Sequence, residues 1–162
     1  ISIVSYFLHF LAVSPYLGQF LNHRFTSFPI DTKDCPVIID TIYQTENAIY
    51  NHENHRYIEQ SNQSVTIKTL RDAYERGAKK LRNQVKIYDD LKIDTKSTQT
   101  IKDIATSIKN KANLFEKRTQ LNVNDKAFDQ MSDLLIKMDS ATQTRLQIIN
   151  EIKKQCMGNL KG

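Results

Sequence analysis

Few side chains in this 162-residue chain could do chemistry, and their spacing limits what chemistry that would be. His52-Glu53-Asn54-His55 invites comparison with a zinc-protease helix, which needs two histidines four apart with a glutamate beside the first. Here they are three apart. That spacing shares a helix face and suits an adventitious metal at most, so a solvated polar patch is the simpler reading. Asp89-Asp90 falls at a helix end, where solvent exposure explains it. Met131 and Met138 are core gap-fillers before they are metal ligands. There is no strained nucleophile elbow, no phosphate-cradling glycine loop and no Cys/His cluster. The expectation is a protein that is not an enzyme, with no catalytic residue, metal or resident cofactor.

The elements that would position such groups read as helices. Gly is 4, Pro is 3 and Trp is absent, too few turn residues for a many-stranded sandwich or barrel. Asp34-Cys35-Pro36 looks like a helix start, with an Asp cap and proline in the first turn. Ile38, Ile42 and Ile49 mark its apolar stripe, flanked by Ile39 and Tyr43. The pattern weakens toward residues 61–66, where the helix turns; one helix running on to Leu91 is the alternative. Ile67, Leu70, Tyr74, Gly77, Leu81, Gln84, Tyr88 and Leu91 alternate at 3-4 spacing through a second helix. Gly77 there allows a close helix approach at a cost near ~1 kcal/mol. Ser97 or Thr98 caps a third helix carrying Ile101, Ile104, Ile108, Ala112 and Phe115. After the polar run at 121–125, a fourth shows Phe128, Met131, Leu135, Met138, Leu146, Ile149 and Ile152, fading at Gly158.

Four amphipathic segments with short polar links imply an all-α fold: an antiparallel four-helix bundle over residues 35–158. Residues 1–23 precede it and differ in kind. The first charge is Arg24, and the uncharged length approaches the roughly 20 residues that cross a bilayer. A helix over this stretch would be apolar on opposite faces, with Ile1, Val4, Phe7, Leu8 and Leu11 on one and Ile3, Tyr6, Phe10 and Val13 on the other. Such a helix must be surrounded by lipid or by protein. A cleaved leader is disfavoured by Pro15 just after the small-residue site and by the missing basic n-region. A fully buried fifth helix of a soluble globule is the other alternative. The expected reading is an apolar, transmembrane anchor, with Tyr16 and Phe20 near headgroup level and a linker over 24–34 containing Pro29. His9 lies within the apolar run. It is a candidate cofactor-binding residue, as ligand to a pigment metal or as a contact to a pigment or lipid; a neutral histidine bonded to a neighbouring chain is the plainer alternative.

Cys35 begins the first bundle helix and Cys156 ends the fourth. In an up-down-up-down bundle those positions share one end, so a disulfide between them is geometrically reasonable, with two unrelated thiols as the alternative. A disulfide places the bundle in an oxidising space, on the extracytoplasmic (periplasmic or lumenal) side of a membrane. Charge is unevenly spread. Acids dominate from Asp31 to Glu59, and Lys68, Arg71, Lys79, Lys80, Arg82 and Lys86 form a basic face beyond it. That face is a solvated surface in the plain reading and a site for anionic headgroups in the sharper one. No aromatics interleave with it as a base-stacking platform would require, so nucleic acid is not an expected partner.

The stretches LRDAYERGAKKL (Leu70 to Leu81) and DQMSDLLIKMDSATQTRLQIINEIKKQC (Asp129 to Cys156) give the chain a faint likeness: it resembles uncharacterised exported helical-bundle proteins of cyanobacteria over roughly Pro36 to Cys156. The resemblance implies an extracytoplasmic setting at a plasma or thylakoid membrane and no established activity. The expected function is a non-catalytic, membrane-anchored accessory subunit of a membrane protein complex, such as a photosynthetic one. Its partners would be subunits of that complex and the lipid bilayer. The alternatives are an extracytoplasmic ligand-sensing bundle and a wholly soluble helical interaction domain.

Overall fold

The computed structural model describes residues 28–62, 67–121 and 127–158. Residues 1–27, and with them His9 and the apolar stretch, lie outside the described residues. Among those described there are four α-helices and no strand: α1 (Cys35–Asn62), α2 (Ile67–Asp89), α3 (Ser97–Thr119) and α4 (Ala127–Gly158). No described helix is long and apolar enough to cross a membrane.

Periodicity dictates which faces meet. Ile38, Ile42 and Ile49 of α1, Leu81 and Tyr88 of α2, Ile101, Ile104, Ile108, Ala112 and Phe115 of α3, and Met138, Ile149 and Ile152 of α4 are all buried in one core. Within each set the spacings are three, four, seven or eleven residues, all near whole turns, so each set forms one stripe of a 3.6-residue helix. The contacts are antiparallel between neighbours: Thr45 meets Tyr88, Arg82 meets Glu116, and Glu46 meets Arg145. α2 against α3 is the most extensive pairing, and α1 against α4 is much sparser.

Gly77 shows why a helix-weakening residue persists inside α2. A Cβ there would stand 2.6 Å from Cε2 of Phe115, and that ring is wedged edge-on against Tyr74 with centroids 5.1 Å apart. Gly77→Ala gains helix propensity of about 1 kcal/mol, but overpacking of this kind costs about 1–3 kcal/mol. The expected net is a loss near ~1 kcal/mol in urea unfolding, recovered in Gly77→Ala/Phe115→Leu, where the ring is gone.

Several expectations need correction. The fourth stripe was expected to bury Leu135 and Leu146. Instead Leu134, Arg145 and Ile148 face inward, and Leu135 and Leu146 stand 48% and 39% exposed. Met138, Ile149 and Ile152 are buried as the stripe requires, and at the Leu146 level Glu46 of α1 supplies a partner that lets Arg145 take the interior position instead. The capping of α3 also differs. Neither Ser97 nor Thr98 is the N-cap; that position is Lys96, without a side-chain cap bond. The Thr95 hydroxyl accepts from the Ser97 amide (3.1 Å) and satisfies an N-terminal donor in its place.

Residues 28–34, read as the end of a linker, are tied to the bundle. Gln155 of α4 donates to the Phe28 carbonyl (2.7 Å) and accepts from the Ile30 amide (3.1 Å). Thr100 donates to the Pro29 carbonyl (2.8 Å), and Ile30 is in the core. A single 3-10 turn, Thr32–Asp34, then leads into α1. The Asp34 carboxylate there accepts the hydroxyls of Thr95 (2.6 Å) and Ser97 (2.9 Å), joining the starts of α1 and α3.

Candidate functional site

The candidates from sequence are the cysteines, the basic face and His9, which lies outside the described residues; the His52/His55 pair reads there as a solvated patch. The first is borne out. Cys35 and Cys156 form a disulfide across 121 residues, with their Cα atoms 5.5 Å apart, inside the usual span for such a bond. Cys156 is buried in the core and Cys35 packs against it. The bond closes the α1–α4 seam at the end where the chain enters the bundle.

The basic residues do not all converge. Helical geometry places Lys68, Arg71, Lys79, Arg82 and Lys86 along one outer arc of α2. Lys68, Arg71, Lys79 and Lys86 are exposed. Arg82 is half-buried and engaged, 2.8 Å from Glu116 and bonded to Asn113 (2.9 Å). Lys80, also exposed, lies off that arc and borders a small space with Ala48, His52 and Glu53. Four exposed cations, strung along about 27 Å of helix, make a diffuse positive strip; they do not make a pocket.

His52 points inward, its Nε2 lying 3.4 Å from where a Gly77 Cβ would be; the side chain of His55 lies outside the described residues. Among the described residues no three His, Cys, Asp or Glu side chains gather as metal ligands.

What sequence reasoning missed is a polar layer inside the bundle. Arg145, 6% exposed at its side chain, pairs with Glu46 at 2.9 Å. Lys111, nearly as buried, pairs with Glu53 at 3.1 Å and lies over the Phe115 ring. The Arg118 guanidinium covers Tyr74 at 5.4 Å. A charge at an otherwise apolar helical position was the available signal, since Arg145, Lys111 and Arg118 all interrupt or flank a stripe. The first two set a cation against a carboxylate of α1, and the third sets one against a ring face.

Between Glu46 and the α2 core, the Tyr88 and Thr45 hydroxyls stand 2.7 Å apart. Burial, opposed in part by that bond, pushes the Tyr88 phenol up to about 12. A free tyrosine ionises near ~10. Between those pH values the unfolded chain has released this proton while the folded one keeps it. Stability therefore is full below about pH 10 and falls by roughly 2–3 kcal/mol as pH approaches 12. Tyr88→Phe, compared with the parent in urea titrations from pH 9 to 12, is expected to remove that part of the slope.

At the disulfide end an open groove of about 670 Å³ runs along the outer α1–α4 seam. Thr32, Pro36, Ile39, Asp40, Tyr43 and Met157 line it, beside the two cysteines. Its walls are mostly apolar. It offers shape and hydrophobic surface, with the Asp40 carboxylate and the Thr32 hydroxyl as the polar side chains of its lining. No protein-family model, curated protein or solved structure matches the chain. The groove and the disulfide therefore carry the functional reading from their own chemistry.

Proposed function

We propose that this chain is a non-catalytic accessory subunit of a membrane protein complex, held by the apolar residues 1–23 and covering part of that complex with its bundle. The observation that carries this reading is the Cys35–Cys156 disulfide, which suits an extracytoplasmic space such as a periplasm or a thylakoid lumen. An uncharged, largely apolar stretch of 23 residues ahead of a disulfide-closed bundle has the layout of an anchored exported domain. Supporting it, the accessible features of the bundle include an apolar groove and a positive strip. These are surfaces for contact. The exposed bases of α2 suit the anionic headgroups flanking such a complex, and His9 is the residue of the anchor suited to a pigment or lipid contact.

Membranes from the native source, solubilised mildly and fractionated, provide the test. The chain is expected to co-migrate with a multisubunit complex, and its bundle to be protease-accessible only from the extracytoplasmic side. Recovery of the intact chain, residues 1–23 included, in the soluble fraction would overturn the reading.

A further inference from the structure

The outer face of the α1–α4 pair carries more exposed apolar surface than the groove alone. Leu135, Leu146 and Met157 of α4 are all exposed and are spaced eleven residues apart. Eleven residues are close to three helical turns, so the three share one stripe, drifting by only about 20° per step. Ile136, 69% exposed, lies beside the first of them, and Tyr43 and Tyr50 of α1 stand out along the same seam.

The charges on that stripe are arranged about its centre. Asp139 and Lys153 are exposed, and each is seven residues from Leu146, on opposite sides. Neither forms an ion pair with another described residue, although the nearby Lys137–Asp133 and Lys154–Glu151 pairs do. A stripe that reads apolar, acidic, apolar, basic, apolar complements itself when reversed. Laid antiparallel on a second copy with the two Leu146 side chains meeting, Leu135 falls opposite the partner's Met157, and Asp139 opposite the partner's Lys153. The other contacts follow by symmetry, as an isologous two-fold interface requires.

We infer that the α1–α4 face is a homodimer interface, two copies packing α4 against α4 antiparallel about Leu146. The groove explains the ends. Pro36, Ile39, Tyr43 and Met157 line it at the level reached by the second copy's Leu135 and Ile136, so the exposed aliphatic turn of one copy fills the open apolar trough of the other. The size agrees. A face about 33 Å long and two helices wide, about 20 Å, covers roughly 660 Å², close to the ~800 Å² per partner of a standard interface. The two Asp139–Lys153 pairs are exposed to salt. They choose the antiparallel register more than they add affinity. This inference stands apart from the anchor reading, since it uses bundle residues alone.

Sedimentation equilibrium of the full chain in density-matched detergent tests it. The parent is expected to be dimeric at micromolar concentration. Leu146→Glu is expected to raise the dissociation constant at least tenfold while leaving the helical circular dichroism at low temperature unchanged. Asp139→Lys and Lys153→Asp should each weaken the dimer at low salt, and the double variant should restore it. In mixtures of Leu135→Cys and Met157→Cys chains, a short bis-maleimide should cross-link the two variants to each other and neither to itself. A monomeric parent, or a Leu146→Glu chain as dimeric as the parent, overturns the interface. A double variant no tighter than the singles, or Leu135→Cys cross-linking with itself, overturns the antiparallel register.

Discussion

Cys35→Ala/Cys156→Ala is expected to lower the Tm of the bundle by about 15 °C. The bond spans 121 residues, and cross-linking a loop of that length removes unfolded-chain entropy equivalent to about 5 kcal/mol. For a bundle of this size, each kcal/mol moves Tm by about 3–4 °C. The consequence is concentrated at one place. α1 and α4 share the sparsest of the neighbouring helix contacts, so little else holds that seam once the bond is cut. Hydrogen exchange should then rise first in the opening turns of α1 and the last turns of α4. Thermal melts followed by circular dichroism, with and without reductant, measure the effect. A reduced parent melting within 2 °C of the oxidised one would show that the bond is incidental to stability.

Glu46→Ala has the next largest expected effect, a loss of about 3–5 kcal/mol in urea unfolding. Arg145 is buried, and its guanidinium lies 2.9 Å from Glu46. Deleting the carboxylate leaves an uncompensated cation in the core, and that penalty exceeds the net worth of the pair itself. Replacing both residues by methionine removes the stranded charge along with the bond, and such double replacements are often neutral or stabilising. Glu46→Ala is therefore expected to be far worse than Glu46→Met/Arg145→Met. Equal midpoints for the two would mean that packing, and not the unpaired charge, sets the cost.

The contrast also explains which parts of the molecule were legible in the sequence. Ile101, Ile104, Ile108, Ala112 and Phe115 are all inside because apolar residues at helical spacing have no better place to go. The cysteine pairing followed from the ends of two helices meeting in an up-down bundle. α4 misled for a physical reason: an apolar side chain can remain outside when a paired charge occupies the interior position. Arg145 is buried while Leu146 is exposed, and only the presence of Glu46 on a helix ninety-nine residues away in sequence decides between them. The cap of α3 was hidden similarly, since Thr95, Ser97 and Thr98 are chemically interchangeable until the Asp34 carboxylate selects the first two as donors. The groove had no local signal either, because it exists only where two distant segments run side by side. Leu135 and Leu146 read as core from sequence, and Met157 carries no signal that joins it to them.

The Gln155 clamp on Phe28 and Ile30 has a mechanical consequence. Tension applied through the residues ahead of Phe28 passes first into the last turns of α4 through that amide and into α3 through Thr100. Only beyond these does it reach α1, whose start is already welded to α4. A tug on the leading segment is thus shared by three helices at their common end and does not peel the first one away.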